Sequence, residues 1–193
     1  MSGTGWRLAG FDLDAFLAAT LAEDLGDGGD ITSAAVIPAD AHFHGALVSR
    51  DDIAVAGLPI AEAFFRRLDP DAAIETLVQD GDRVPKGTML MRIEGAARAM
   101  LTAERSALNT LQHLSGVATL ARTYADAIAG TGAVLLDTRK TIPGLRALEK
   151  YATRMGGATN HRMGLWDAAM IKDNHVAVAG GVGHVNSLSA ELR

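Results

Sequence analysis

A chain of 193 residues, 48% hydrophobic and 21% charged, can bury a substantial core and form one large or two small domains. It has no cysteine, which excludes disulfides, a thiolate metal site and a thiol nucleophile and suits a reducing compartment. The formal net charge is −5, but residues 137–172 hold seven Lys or Arg against three acids, a local +4, while the remainder carries −9. An acidic protein with one basic pocket focuses its field on a small anion and repels a nucleic-acid backbone elsewhere on its surface. No apolar run reaches the length of a membrane span, and the first residues are acidic where a signal peptide is basic. The expectation is a cytoplasmic protein whose partners are neither nucleic acid nor membrane.

Taken in chain order, Phe11, Leu13, Phe16, Leu17, Leu21 and Leu25 recur near helical spacing, and the Gly-Asp-rich stretch 26–30 stops that helix in a loop. Residues 42–55 and 74–93 read as strands interrupted by turn residues at Gly57-Leu58-Pro59 and Gly81-Asp82, with a short amphipathic helix over 60–68 between them. Residues 78–94, VQDGDRVPKGTMLMRIE, resemble the strand-turn-strand pattern of lipoyl- and biotinyl-type hammerhead domains. They lack a modifiable Lys flanked by Met at a hairpin tip, so a structural role is expected. From residue 97 the texture becomes helical, with Leu101, Leu108, Leu111, Leu114, Val117, Leu120, Tyr124 and Ile128 mostly three or four apart and Gly116 a predicted break between two helices. Strand, helix, strand and helix are predicted over 133–138, 144–155, 168–172 and 185–192. That alternation implies parallel βα units, in which sites form at the carboxyl ends of strands.

Three basic clusters fall at such positions: Arg139-Lys140, His161-Arg162, and Lys172 followed by His175. A guanidinium matches a carboxylate with two parallel hydrogen bonds, so Arg139 and Arg162 suit clamps on an acid, whereas Lys140 and Lys172 are point charges suited to phosphate oxygens. His161, between polar neighbours, can hydrogen-bond a carboxylate or a ring edge. His175 and Asp173 are open between shaping their loop and touching substrate. Arg146, Lys150 and Arg154 lie four apart on one predicted helix, the pattern of a solvated face, and receive no catalytic role. Gly156-Gly157 and Gly180-Gly181 are expected at turns or helix ends. His44 and Arg50 read as exposed strand residues, although either has the chemistry to border a neighbouring subunit's site.

The strings EDLGDGGDITS (residues 23–33), ERSALNTLQHLSGVAT (104–119), DTRKTIPGLRALEKYATRMGG (137–157), NHRMGLWD (160–167) and IKDNH (171–175) stand in an order that resembles the quinolinate phosphoribosyltransferase family. The resemblance implies an α/β fold. An N-terminal hammerhead-like α/β domain over 1–105 precedes the first part of an open seven-stranded α/β barrel over 106–193. It implies a homodimer with sites shared between subunits, and transfer of phosphoribose from phosphoribosyl pyrophosphate to quinolinate with loss of carbon dioxide, giving nicotinate mononucleotide. Under it, Lys140, Lys172 and His161 are the catalytic candidates; Arg105, Arg139, Lys140, His161, Arg162 and Lys172 bind substrate. Arg105 is expected to reach the neighbouring subunit's site, although by itself a charge after Glu104 on a helix is a solvated one.

Residues 97–193 suffice for only two or three barrel strands, whereas a complete barrel takes ~250 residues. Mg²⁺ is implied as cofactor, with ligands expected in the later part of the family pattern, beyond Arg193; no residue here is assigned to metal, and Asp173 is a poor substitute. The 193 residues alone are accordingly expected to be inactive. Two alternatives accompany this reading: a non-catalytic anion-binding or interaction fragment, and the molybdenum-transport-associated paralogue of the same fold, against which the full arginine and lysine set argues.

Overall fold

The structure is a computed structural model that describes residues 5–189, and contacts divide the chain into two units meeting between His161 and Arg162. The first unit opens with α1 (Leu13–Leu25), whose N-cap Asp12 accepts the Ala15 N–H at 3.0 Å, and it ends at Gly26 as the Gly-Asp loop predicted. Directly after that loop comes a helix the sequence did not announce, α2 (Ile31–Val36). Asp30 caps it by accepting the Ser33 N–H at 2.9 Å and also accepts the Thr102 hydroxyl at 2.9 Å. The Ser33 hydrogen bonds, then that of Thr102, hold the Asp30 carboxyl below its ordinary value.

Five strands follow: β1 (His42–Val48), β2 (Ile53–Ala54), β3 (Ala73–Thr76), β4 (Arg83–Val84) and β5 (Met89–Ala96). β5 is central in an antiparallel three-stranded sheet of order β1-β5-β3, with Gly45 opposite Ile93 and Ile74 opposite the same Ile93; β2 and β4 form a separate antiparallel pair. Along β5, Met91 and Ile93 are buried while Arg92 and Glu94 face out to Glu75 (2.8 Å) and His44 (3.4 Å), the alternation of a sheet covered on one face. The cover is α3 (Leu58–Leu68) and α4 (Ala97–Ala127). Phe64, Phe65, Ile60, Met91, Met100 and Leu114 are each no more than 2% exposed and form the centre of the core. Each such side chain contributes roughly 1.5–3 kcal/mol by burial.

α4 corrects the expected pair of helices. It runs unbroken for 31 residues through Gly116, which is exposed and where an added Cβ would meet nothing within 4 Å. The apolar face on either side of Gly116, from Leu111 and Leu114 to Ala118 and Ala121, packs on α3, on β2 and on α5 (Arg146–Met155), and that tertiary burial overrides one weak helix former. At the end of α5, Gly156 lies against α4: a Cβ there would clash with the Ala118 carbonyl oxygen.

Before α5, residues 133–138 do not form the predicted regular strand. Their ladder is one parallel bridge, Leu136 to Thr159, in which Thr159 N–H donates to Leu135 O (2.8 Å) and Asp137 N–H to Thr159 O (3.1 Å). The two extended segments therefore run parallel with α5 as their crossover, so the βα reading holds while the second strand is displaced to residues near 159. Residues 168–172, predicted as that strand, are irregular and belong to the second unit. The second unit contains α6 (Asp173–Val178) and α7 (Val182–Ser189), with Gly180 and Gly181 at positive φ between them. The helix predicted over 185–192 thus begins three residues earlier, and its last residues lie outside those described. Among the described residues no helix is long and apolar enough to cross a membrane.

Candidate functional site

The two parallel segments end in a polar cluster. Asp137, whose side chain is 3% exposed, accepts the His161 backbone N–H (2.7 Å) and an ion pair from Lys150 Nζ through Oδ1. Its Oδ2 accepts the Asn160 amide (2.7 Å) and the Thr153 hydroxyl (3.3 Å). Asn160 also donates to the Lys150 carbonyl (2.8 Å), which closes the network against the second half of α5. Every oxygen of the buried carboxylate is satisfied, the condition under which such a charge is tolerated. The solvated-face reading of Arg146, Lys150 and Arg154 is corrected at its middle member: Lys150 is 1% exposed, inserted beneath α5 toward Asp137. Arg154 is exposed and stacks over the Tyr151 ring at 5.6 Å, and Arg146 bonds the Thr141 hydroxyl at 3.3 Å.

The residues flanking Lys150 anchor α5 to two further elements. Glu149, 8% exposed, pairs with His113 of α4 at 2.9 Å and accepts the Ile142 N–H at 3.1 Å. Tyr151 donates its hydroxyl to Asp80 at 2.6 Å, and Asp80 in turn accepts the N–H groups of Gly57 (2.7 Å) and Leu58 (3.0 Å), capping α3 from a distant loop. Gly57 precedes α3 with φ of 107° and brings no side-chain cap of its own. Burial, then the Asp80 hydrogen bond, pushes the Tyr151 hydroxyl above its ordinary pKa of 10.

Around this frame stand the first unit's predicted site residues. Arg139 and Lys140 follow Asp137 by two and three positions; Lys140 is exposed, and Arg139 has a buried Nε with no hydrogen-bond partner among the described residues. One other atom shares that condition, Arg122 Nε on α4, but that guanidinium is already engaged with the Met155 carbonyl at 3.0 Å. His161 is half-buried and fixed to Asp137 through its own N–H, whereas Arg139 and Lys140 follow Asp137 along the chain and Lys140 N–H donates to the Thr138 hydroxyl at 3.1 Å. Arg105 is exposed on α4 and makes no ion pair among the described residues.

In the second unit, Arg162 is half-buried and donates to the Ala168 carbonyl at 2.9 Å. Asp167 accepts the Met163 (2.5 Å) and Gly164 (3.1 Å) N–H groups, and these bonds, the Met163 one foremost, hold its carboxyl below the ordinary value despite full exposure. Lys172 is exposed, and its backbone N–H donates to His175 Nδ1 at 2.9 Å; of the two roles open for His175, this bond is the loop-shaping one. Asp173 is exposed as the first residue of α6. Among the described residues no three His, Asp or Glu side chains are grouped to hold a metal ion, and Asp137 is fully engaged by its donors, so these residues do not form a Mg²⁺ site.

Of the network, only the cations and His161 were singled out by the sequence. Asp137, Lys150, Thr153 and Asn160 fall outside any local motif because the partners of Asp137 lie 13 to 24 positions along the chain and no spacing rule joins them. An acid standing just ahead of two cations at a predicted strand end was the available signal.

Comparison with known proteins places the chain. Residues 30–115 match the pattern of the quinolinate phosphoribosyl transferase N-terminal domain and residues 117–191 that of its C-terminal domain. A Nicotiana tabacum protein named quinolinate phosphoribosyltransferase [decarboxylating] 1b is 45% identical over 172 residues, covering 89% of this chain and 49% of the relative. The Mycobacterium leprae nicotinate-nucleotide pyrophosphorylase [carboxylating] is 47% identical over 164 residues, covering 84% of this chain and 58% of its own length. The crystal structure of NadC from Streptococcus pyogenes superposes with a TM-score of 0.89 at 37% identity, over 97% of this chain and 67% of that one. The nicotinate-nucleotide pyrophosphorylase structure from Francisella tularensis gives 0.87 at 37%, over 93% and 63%. The chain thus spans about half the length of the curated relatives it matches.

Proposed function

Because the chain belongs to the quinolinate phosphoribosyl transferase family, we propose that it supplies the aromatic-acid half of a site that transfers phosphoribose to quinolinate with decarboxylation. The observation that carries this reading is Arg139: a half-buried arginine whose buried Nε has no partner among the described residues, next to Lys140 and two positions after Asp137, which holds His161. Buried donors are ordinarily satisfied, so one left open in a basic cluster suits an anionic acceptor. Arg162 and Lys172 join it on the strength of the resemblance, Arg162 as the second carboxylate clamp and Lys172 with Lys140 on phosphate and pyrophosphate oxygens.

In this reaction the ring nitrogen of quinolinate attacks the anomeric carbon of phosphoribosyl pyrophosphate, and the C–O bond to pyrophosphate breaks. The carboxylate next to the nitrogen then leaves as carbon dioxide, its bonding electrons remaining on the ring carbon until a proton takes them up. Clustered positive charge stabilises that electron pair. Mg²⁺ is proposed to accompany the pyrophosphate on acids outside the described residues.

The assembly proposed is a homodimer in which the partner subunit's Arg105 completes each site; exposure of Arg105 on α4 with no ion pair among the described residues supports it. The domain boundary proposed between 105 and 106 falls inside α4, which would then carry the small domain directly into the barrel. Cytoplasmic location is proposed from the cysteine-free composition.

The 193 residues alone are proposed to lack turnover, since positioning two substrates can supply roughly 7–11 kcal/mol of a barrier and the ribose is left unheld. The test is to assay nicotinate mononucleotide from quinolinate and phosphoribosyl pyrophosphate. The 193-residue chain is compared with the same chain extended by the remaining length of the Mycobacterium leprae relative. Product from the extended chain alone is the expected result; no product from an extended chain that folds contradicts the proposed activity.

A further inference from the structure

We propose that the buried Asp137–Lys150 ion pair is a positioning device that sets Arg139 and Lys140 in register with His161. It rests on the site reading above for its function, but its geometry lies wholly within the first unit. The two segments that carry the cations and the histidine share a single parallel bridge, Leu136 to Thr159, and among the described residues no regular ladder extends it. One bridge is a weak hinge for holding two loops to within the tolerance that a bidentate clamp requires.

Asp137 replaces the missing ladder. Through Oδ1 it holds the His161 N–H at 2.7 Å, through Oδ2 the Asn160 amide at 2.7 Å, and both contacts lie just past the bridge on the side where the functional residues stand. Four donors converge on this carboxylate from α5 and from the 160–161 segment, so the carboxylate is crowded into one orientation. Lys150 supplies the charge that lets the carboxylate remain buried. Its own carbonyl accepts the second proton of the Asn160 amide at 2.8 Å, so the pair and the amide form one closed ring.

A purely structural role explains this poorly. A buried ion pair returns little net stability relative to apolar groups of the same volume, whereas it fixes direction. The direction it fixes is that of the two residues on either side of it in the proposed site, Arg139 two positions after Asp137 and His161 one after Asn160. Neither Asp137 nor Lys150 needs to touch substrate; both act through the residues they hold.

The inference is tested on the 193-residue chain by comparing it with the double variant Asp137→Asn/Lys150→Met, which removes both buried charges with little change in volume. A milder variant, Asn160→Ala, removes the neutral clasp alone. The readouts are the melting temperature, the quinolinate Kd by calorimetry, and the NMR positions of the Arg139 and Lys140 backbone amides, neither of which bonds Asp137 or Lys150. Expected are a quinolinate Kd raised by about tenfold or more, displaced Arg139 and Lys140 amides, and a melting temperature near the parent's. Lys150→Arg in the parent chain, which keeps the charge, is expected to retain most of the affinity.

A folded double variant with the parent's Kd and amide positions overturns the inference. Should the double variant fail to fold, Asn160→Ala decides on the same two readouts. A parent chain that does not bind quinolinate contradicts the functional reading instead, and the positioning inference then stands or falls on the amide displacements alone.

Discussion

The packing under the sheet and the packing around Asp137 occupy the same unit of the chain but are built on opposite principles. Under β5 and α3 the contacts are apolar and non-directional: Phe64, Phe65, Met91, Met100 and Leu114 fill space, and their burial is proportional to area. Around Asp137 a charge is buried among four donors drawn from four residues, 150, 153, 160 and 161, each at a hydrogen-bond distance that admits little freedom. The first arrangement contributes stability and tolerates repacking. The second contributes orientation, since its desolvation cost absorbs much of the Coulombic gain. Proposed substrate-binding residues stand on the second.

That contrast gives substitutions a ranked order. Phe64→Ala, at a fully buried ring on α3 that packs against Phe16 of α1, is expected to cost about 4 kcal/mol by the lost transfer energy and the cavity left behind, measured by denaturant unfolding. Quinolinate affinity of the molecules that remain folded should stay near the parent's; a large loss would mean the two regions are not separable.

Tyr151→Phe lies between the regions and should cost about 1–2 kcal/mol, because the hydroxyl that supports the Asp80 cap on α3 is removed. It also carries a pH signature. The folded-state pKa of Tyr151 is raised above its ordinary 10, so the contribution is complete below pH 10 and is lost as pH rises through and above that value. The parent should therefore lose stability on the alkaline side more steeply than the Phe variant; identical alkaline limbs would remove Tyr151 from the network.

The smallest effect expected is a gain. Gly116→Ala sits mid-helix at an exposed position with open space for a methyl group, and should stabilise by about 0.5–1 kcal/mol without altering ligand binding. Destabilisation there would show that α4 needs a break at Gly116 after all.

The same contrast explains what was readable in the amino-acid sequence. α1, α3, α4 and α5 announce themselves because their apolar residues repeat at helical spacing on one element, and the strands of the small sheet because Met91 and Ile93 alternate with Arg92 and Glu94. α2 escaped notice because six residues after a Gly-rich loop show no period, and only the Asp30 cap marks its start. Gly116 was misread since local propensity is a weak prior against a buried face on both sides. The segments 133–138 and 168–172 looked like strands by composition, but regular pairing depends on neighbours that no local pattern reveals.

In the site, Arg139, Lys140 and His161 were legible as chemistry at strand ends. Lys150 was not, because a lysine four residues from Arg146 and Arg154 reads as surface until Asp137, thirteen positions earlier, is seen beneath it.

The most direct measurement compares quinolinate with nicotinate, which lacks one of the two carboxylates, by calorimetry on the same preparation. Losing one charged hydrogen-bonding partner should weaken nicotinate binding by about 2 kcal/mol, close to thirtyfold, and Arg139→Lys should erase most of that difference because the planar fork is gone while the charge remains. Equal affinity for the two acids would contradict a two-carboxylate clamp built on Arg139.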